Sequence, residues 1–540
     1  MVRYIDCKAV VYCLLLISLC VVRTGWAQDV FVDGSNLLAS DTNTGSRDKP
    51  FKTIAYAAKI AVAGDTVHVK DGVYREFVEV ANSGVGPGKM IVFRAEGKNV
   101  VIKGSDVVDN WTPYKGGSIW KKEMWPVNSQ QVFVDGQILD QIGGAPLFSP
   151  DRLPAKGSGV SDMTPGSFYY DHKAKILYIR LKNNANPNSH LVEVSTRTLI
   201  FSLKWKNYIK LQGFNFQHSN NTATVKSGWP AVAINGNGCV VENNNITWCD
   251  FAGLGGNGNN IVIKNNNVSY NGNSGISFSG SSIIMDGNIT NYNNYRNFKA
   301  DWHAGGMKNT IISKSVVRNH TAQYNNGSGI WFDIDCVDNI IESSRVQHNK
   351  DMGIFYEISK AGLIRNNIVS DNATHGIYIS ASSDCNVLNN TVYANMRGIV
   401  VHGVPRSSLG KKYTLFNNVV ANNIIAANTN ADLVMARPSA DAGANSSDYN
   451  LFYQRSGVLN NRLDYAGVQT SLAQWQKSTG HDMHSLVADP RFMDQSNNDY
   501  RLRAGSPAKG AGKVTVFVKD DLNATPRGNR NDIGPFWLGN

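Results

Sequence analysis

Helical periodicity is what this 540-residue chain lacks most. Through its middle, apolar residues do not recur at three and four spacing over ten or more positions, which excludes a helical array as the body of the fold. Beyond residue 27 no stretch is long and apolar enough to cross a bilayer, so a permanent membrane span is not expected. Cysteine is scarce. Of seven, Cys7, Cys13 and Cys20 lie in the first 27 residues, and Cys239, Cys249, Cys336 and Cys385 match no zinc spacing. Cys336 and Cys385 fall on repeats two steps apart, too far for an easy bridge, so buried structural thiols are expected. Basic runs interleaved with aromatics are also missing. The formal charge is +11, or +9 without residues 1–27, but the excess is scattered. It suits an anionic polysaccharide better than a nucleic acid, which is not expected as a partner.

The first 27 residues read as a secretory signal peptide: Arg3 and Lys8, an apolar run from Val10 to Val22, then Gly25-Trp26-Ala27 before a cut. A secreted or periplasmic, monomeric protein is the expectation.

What the chain has in quantity is glycine in register. Seven Gly-plus-apolar steps recur: Gly253-Leu254, Gly275-Ile276, Gly306-Met307, Gly329-Ile330, Gly353-Ile354, Gly376-Ile377 and Gly398-Ile399. Their intervals are 22, 31, 23, 24, 23 and 22 residues, the period of a solenoid. Short β-branched runs separated by Asn-rich corners select an all-β fold, a right-handed parallel β-helix. Asn271, Asn325, Asn349 and Asn372 each stand four residues before their glycine and should stack at one corner. Asn tolerates left-handed backbone there, and its amide can bond to the coils above and below.

Period-two alternation then sorts side chains to the two faces of the coil. Ile330 and Phe332, Ile354 and Tyr356, Ile377 and Ile379, and Ile399 and Val401 should point inward. Trp331, Phe355, Tyr378 and Val400 should form one outward column, beside a second column of Asp333, Glu357, Ser380 and His402. Rings next to carboxylates on an exposed face are what a sugar-binding cleft needs, although the same rings could pack under a covering loop. The long interval before Gly306 holds NYRNFKADWHAG, and inserted loops on one face of a solenoid commonly build its site. Lys299, Asp301, Trp302 and His303 on that loop, with Lys308 just beyond it, should form one wall.

Outside these coils, residues 28–107 should form an amino-terminal cap and first coils, with Phe51–Val62 as a short capping helix. Residues 108–198 read as an inserted antiparallel β domain, residues 199–430 as the β-helix proper, and residues 431–540 as carboxy-terminal coils and tail.

Several of these pieces resemble a known group. KPFKTIAYAAKIAVAGDTVHVKDGVY, the insert strands VFVDG and FYYDHKAKILYIRL, and the tail ADPRFMDQSNNDYRLRAGSPAKGAG are similar to secreted parallel β-helix proteins that act on polysaccharides. The insert together with GIWFDID and GIFYEIS resembles glycoside hydrolase family 120, the β-xylosidase family. That resemblance implies Asp333 as nucleophile and Glu357 as acid/base. Where that family offers a further glutamate, in the segment DWHAGGMK, this chain has His303.

Spacing leads to the same pair by another route. Stacked strands lie about 4.8 Å apart, which suits double displacement at roughly 5 to 5.5 Å between carboxyls rather than inversion at roughly 6.5 to 9.5 Å. No cofactor is expected for such a hydrolase acting on a poly- or oligosaccharide. A more distant similarity, to family 9 pectate lyases, implies a polysaccharide lyase in which Asp301, Asp333 and Asp335 hold calcium and Lys308 or His303 removes a proton. A third alternative is a surface protein that binds glycan through the aromatic column without catalysis.

Overall fold

The computed structural model describes residues 27–143, 156–221 and 230–539. The candidate signal peptide therefore lies, but for Ala27, outside the described residues. Among the described residues no helix is long and apolar enough to cross a membrane.

The chain winds as a parallel β-solenoid. Its coils contribute one strand each to a 13-stranded sheet, a 14-stranded sheet, and a third face built from 5-stranded and 7-stranded sheets. In the 14-stranded sheet, Leu254, Ile276, Met307, Ile330, Ile354, Ile377 and Ile399 pair in unbroken register. All seven steps read from the sequence are thus successive coils. Phe332, Tyr356, Ile379 and Val401 join them in one continuous buried core, as alternation requires.

The glycine recurs because the corner leaves no room. A Cβ on Gly329 would lie 2.4 Å from Val346 Cγ1 and 2.8 Å from Asn349 Nδ2, and Gly353 meets Val369 and Asn372 in the same way. The asparagine ladder is longer than the four-residue offset suggests, running Asn271, Asn293, Asn325, Asn349, Asn372, Asn395 and Asn428. Each backbone N–H from Asn271 to Asn395 donates to the next amide oxygen, while each side-chain Nδ2 donates to a carbonyl behind it, such as Val268 O for Asn293. Removing one rung would leave buried groups unpaired, at about 1–3 kcal/mol each. Cys239, Cys249, Cys336 and Cys385 are free and buried, as expected.

Helix Ile54–Ile60 closes the first coil. Thr53 caps it by accepting from Tyr56 N at 3.2 Å, Glu76 accepts from Ile54 N and Ala55 N, and Ile54, Ala57 and Ala58 are buried in the main core. A second short helix, Leu472–Thr479, lies in the tail, where the sequence reading placed none. The parallel solenoid strands continue past Ala431 to Asn461–Leu463 and Leu486–Val487, and strand Ala466–Gln469 then pairs antiparallel at the sheet's end.

Between strand Val100–Lys103 and strand Phe201–Ser202 the chain leaves the solenoid as a four-stranded and a five-stranded sheet packed around Trp111, Phe168, Leu177 and Val194. Its root is a buried ion cluster. Glu193, 1% exposed, accepts from Arg75 at 2.6 Å and Lys103 at 2.8 Å, beside His218 stacked on Phe133. Replacing Glu193 with Ala would strand two cations at this junction. Thermal and denaturant unfolding should show a loss of about 3–5 kcal/mol. Glu193→Ala unfolding at the wild-type midpoint would show that the cluster does not hold the insert.

Candidate active site

Three adjacent strands of the 14-stranded sheet set the site. Strand Ser328–Asp333 pairs in parallel with strand Ile354–Glu357, so that Trp331 faces Phe355 and Asp333 faces Glu357. Strand His375–Ser380 continues the pattern with Tyr378 and Ser380. The strands stop there because Ile334, Asp335, Ile358 and Ala381 adopt left-handed backbone, with φ between 37° and 58°. This conformation is costly for β-branched isoleucine, and its recurrence beside two acids marks a place where the fold accepts strain. The carboxylates consequently stand at the lip of the sheet.

The face is outward but not open. Trp331 and Phe355 are 4% and 5% exposed and form a stack with Tyr378 at 5.1 Å centroid spacings, and Asp333 and Glu357 are each 7% exposed. The expected exposed column is therefore a covered one, because two excursions of the chain close over it. The first is the loop before Gly306. Its Trp302 carbonyl accepts from Lys308, which stands on the strand after the loop, Gly305–Thr310, with Nζ 2.8 Å from Asp333 Oδ2 and 3.5 Å from the Trp331 ring centroid. Burial pushes the Lys308 ammonium below its ordinary range, against the pull of Asp333.

The second excursion escaped the sequence reading. Ile399 pairs with Leu433 on the next coil, a step of 34 residues, and the surplus folds as a hairpin of strands Arg406–Ser408 and Lys411–Tyr413. Arg406 donates to Glu357 Oε1 and to Ser380 Oγ. Lys411 reaches Asp335 at 2.6 Å, and Tyr413 packs on Ile358 and Ala381. Glycine spacing could not show this hairpin, because Asp432 stands at the next glycine place. Its buried carboxylate is held by Gln454 and the Asn460 N–H.

Electrostatics separate the two acids. Burial first, and the charge of Asp333 second, raise the Glu357 carboxyl above the usual range, while Arg406 opposes them. Asp333 faces the lysine and Glu357 faces the arginine.

Other expected residues lie elsewhere. Asp301 is exposed on the loop, and Trp302, though exposed, keeps its ring 5.9 Å from Lys308 Nζ at the edge of the site. His402 turns from the acid column toward Tyr465 and Asp464, with its Nε2 3.5 Å from that carboxylate. His303 is not beside the acids either. It stacks on Phe251 and bonds to Asn273, over a coil nearer the amino terminus. The loop's length was legible, but not where each of its side chains lands. Asp335 is paired with Lys411, so the three acids of the calcium alternative do not converge. Among the described residues no group of three or more His, Cys, Asp or Glu is placed to share a metal ion.

With this geometry in place, comparison with known proteins settles the architecture. The family described as "Right handed beta helix region" matches residues 215–392 and 303–439. The chain is a right-handed parallel β-helix. A family described as a protein of unknown function, DUF1565, matches residues 38–80, the cap of this β-helix. An uncharacterized protein of Bacillus subtilis (strain 168), YwoF, is 27% identical over 488 residues, 87% of this chain and 90% of that protein. Among solved structures, XylC in complex with xylose has a TM-score of 0.69 at 18% identity, covering 95% of this chain and 98% of that one. Pectate lyase Pel9A matches at TM-score 0.43 and 13% identity, over 95% of this chain and 96% of that one.

Proposed function

We propose that this β-helix is a carbohydrate-active enzyme and, within that class, a retaining glycoside hydrolase with Asp333 as nucleophile and Glu357 as acid/base. The observation that carries this reading is the direct pairing of Asp333 with Glu357 on adjacent parallel strands. Strands about 4.8 Å apart suit carboxyls at the roughly 5 to 5.5 Å of double displacement. Lys308 lies beside Asp333 as its ion-pair partner, and the raised Glu357 carboxyl favours the protonated form that donates to a leaving oxygen. The full-length fold likeness to XylC, solved with xylose, makes xylosides the first substrates to test. Purified protein should release reducing sugar from aryl xylosides and xylo-oligosaccharides with retained anomeric configuration, followed by nuclear magnetic resonance. Release with inverted configuration would overturn the double-displacement assignment.

Arg406 supplies a pH test. Its guanidinium holds Glu357 toward the charged form, so Arg406→Ala should raise the Glu357 pKa further. The proton donor then persists to higher pH. The alkaline limb of kcat/KM should move upward, and an unmoved limb would mean that Glu357 does not govern it.

One observation favours a second reading, a lyase acting on a uronate polymer. Lys308 is a buried amine with a lowered pKa, the property of a base that abstracts a proton. Against it, Asp333 and Asp335 are each already ion-paired with a lysine, a poor start for an oxygen cage around calcium. Chelator should leave activity intact and no unsaturated product should absorb in the ultraviolet. Activity lost to chelator, restored by calcium and accompanied by that absorbance would favour the lyase.

A further inference from the structure

Outward side chains of the 14-stranded sheet shrink toward the amino terminus. Along the column that carries the rings, Phe355 is followed by Trp331 and Lys308, then by Ser277 and Gly255. The missing bulk leaves a depression of about 210 Å³ lined by Ser277, Gly255, Gly256, Asn235, Phe251 and His303. It belongs to the coils that begin at Ala252 and Ser274, three and two turns respectively before the coil of Asp333. At about 4.8 Å per turn, it lies roughly 10 to 14 Å from the acid pair along the axis.

The wall of this depression is built rather than accidental. His303 lies on Phe251 at 5.7 Å with nearly parallel planes, and Phe251 is wedged by Phe298 in a buried cluster with Ala252 and Ala304. Its Nδ1 is 2.7 Å from Asn273 Oδ1, an acceptor, so that nitrogen carries the proton and Nε2 is left with a lone pair. Burial lowers the ring's pKa to about 3 and keeps it neutral. Nε2 faces Ser277 Oγ at 3.4 Å, a long contact that leaves both atoms capacity for a further partner. Asn235 also lines the depression and adds an amide. A fixed acceptor, a hydroxyl and an amide around a glycine floor suit an uncharged ligand rich in hydroxyls, and no cation lines the depression.

We propose that this depression is a distal sugar subsite, binding a neutral pyranose unit two or three residues along a chain whose cleaved bond lies at Asp333 and Glu357. The placement rests on the glycosidase reading, whereas the binding itself does not. The subsite gives longer oligosaccharides an advantage over short ones, because the distant unit adds contacts that an aryl monoglycoside cannot reach.

Ser277→Phe tests this cleanly. Neighbouring coils carry Lys308, Trp331 and Phe355 in the same column, so an outward ring is compatible with the sheet, and here it fills the depression. Two measurements are made on wild type and variant: kcat/KM over aryl β-xyloside and β-1,4-xylo-oligosaccharides of two to six units, and binding of the longest of these followed by the His303 ring protons. In the wild type kcat/KM should rise with chain length, and Ser277→Phe should lose about tenfold on the long chains while matching wild type on the aryl xyloside. The His303 signals should shift with ligand in the wild type and not in the variant. A chain-length advantage that survives Ser277→Phe, or unmoved His303 signals in the wild type, would overturn the subsite. Shifted His303 signals with no turnover of any substrate would support the subsite while overturning the glycosidase reading.

Discussion

Replacing Asp333 with alanine should abolish turnover of every glycoside, activated or not. On the proposed reading the bond to the anomeric carbon is made by this carboxylate, and a better leaving group cannot compensate for a missing nucleophile. The loss should be on the order of 10⁴-fold or more in kcat. The neighbouring outward residues offer no substitute, since Thr310 and Ser380 bring hydroxyls and Glu357 is held toward its neutral form. Because Asp333→Ala leaves Lys308 buried without its counter-charge, Asp333→Asn should be measured beside it, with thermal unfolding of both. Equal inactivity in a folded Asp333→Asn assigns the loss to chemistry. Near-normal activity in either variant, with Lys308→Ala inactive, would sink the glycosidase reading and make Lys308 a proton-abstracting base.

Much of this arrangement was legible in the sequence for a reason that Gly329 makes plain. A Cβ at this corner would run into Val346 and Asn349, so from Gly253 to Gly398 a glycine marks the strand in each coil. Once the starts are known, alternation decides inside from outside and places Asp333 beside Glu357. The same rule explains what was hidden. Asn293 belongs to the ladder but stands thirteen residues before Gly306, because the wall loop intervenes, and Asn395 stands three before Gly398. Asp432 replaces the next glycine by burying a hydrogen-bonded carboxylate, and with the marker gone the surplus that forms the Arg406 hairpin could not be counted. Coverage was open as an alternative that the sequence could not decide. Alternation gives the side from which a residue leaves the sheet, but what then folds over Trp331 and Phe355 depends on loops with no period.

Replacing Glu357 with alanine should produce a defect of a different kind. For substrates whose leaving group departs without a proton, the first step survives, because Asp333 still attacks. For substrates with an unactivated sugar alcohol as leaving group, kcat/KM should fall by about 10²–10⁴-fold. With the activated substrate the second step becomes limiting, since water has lost its base, and a covalent glycosyl ester should accumulate on Asp333, where mass spectrometry of a peptic digest would find it. Azide, which needs no base, should enter that ester and accelerate turnover, giving a glycosyl azide with the configuration of the substrate. Retained configuration identifies two displacements at carbon. An azide product of inverted configuration from Glu357→Ala would mean that azide had taken the place of the nucleophile itself, so that the roles of Asp333 and Glu357 would have to be exchanged. Arg406 sharpens the contrast, for in Glu357→Ala its guanidinium loses its carboxylate partner and faces the incoming anion. Azide rescue of Glu357→Ala should therefore weaken when Arg406 is also replaced by alanine, and rescue of equal strength in the double variant would place Arg406 outside the path of the second nucleophile.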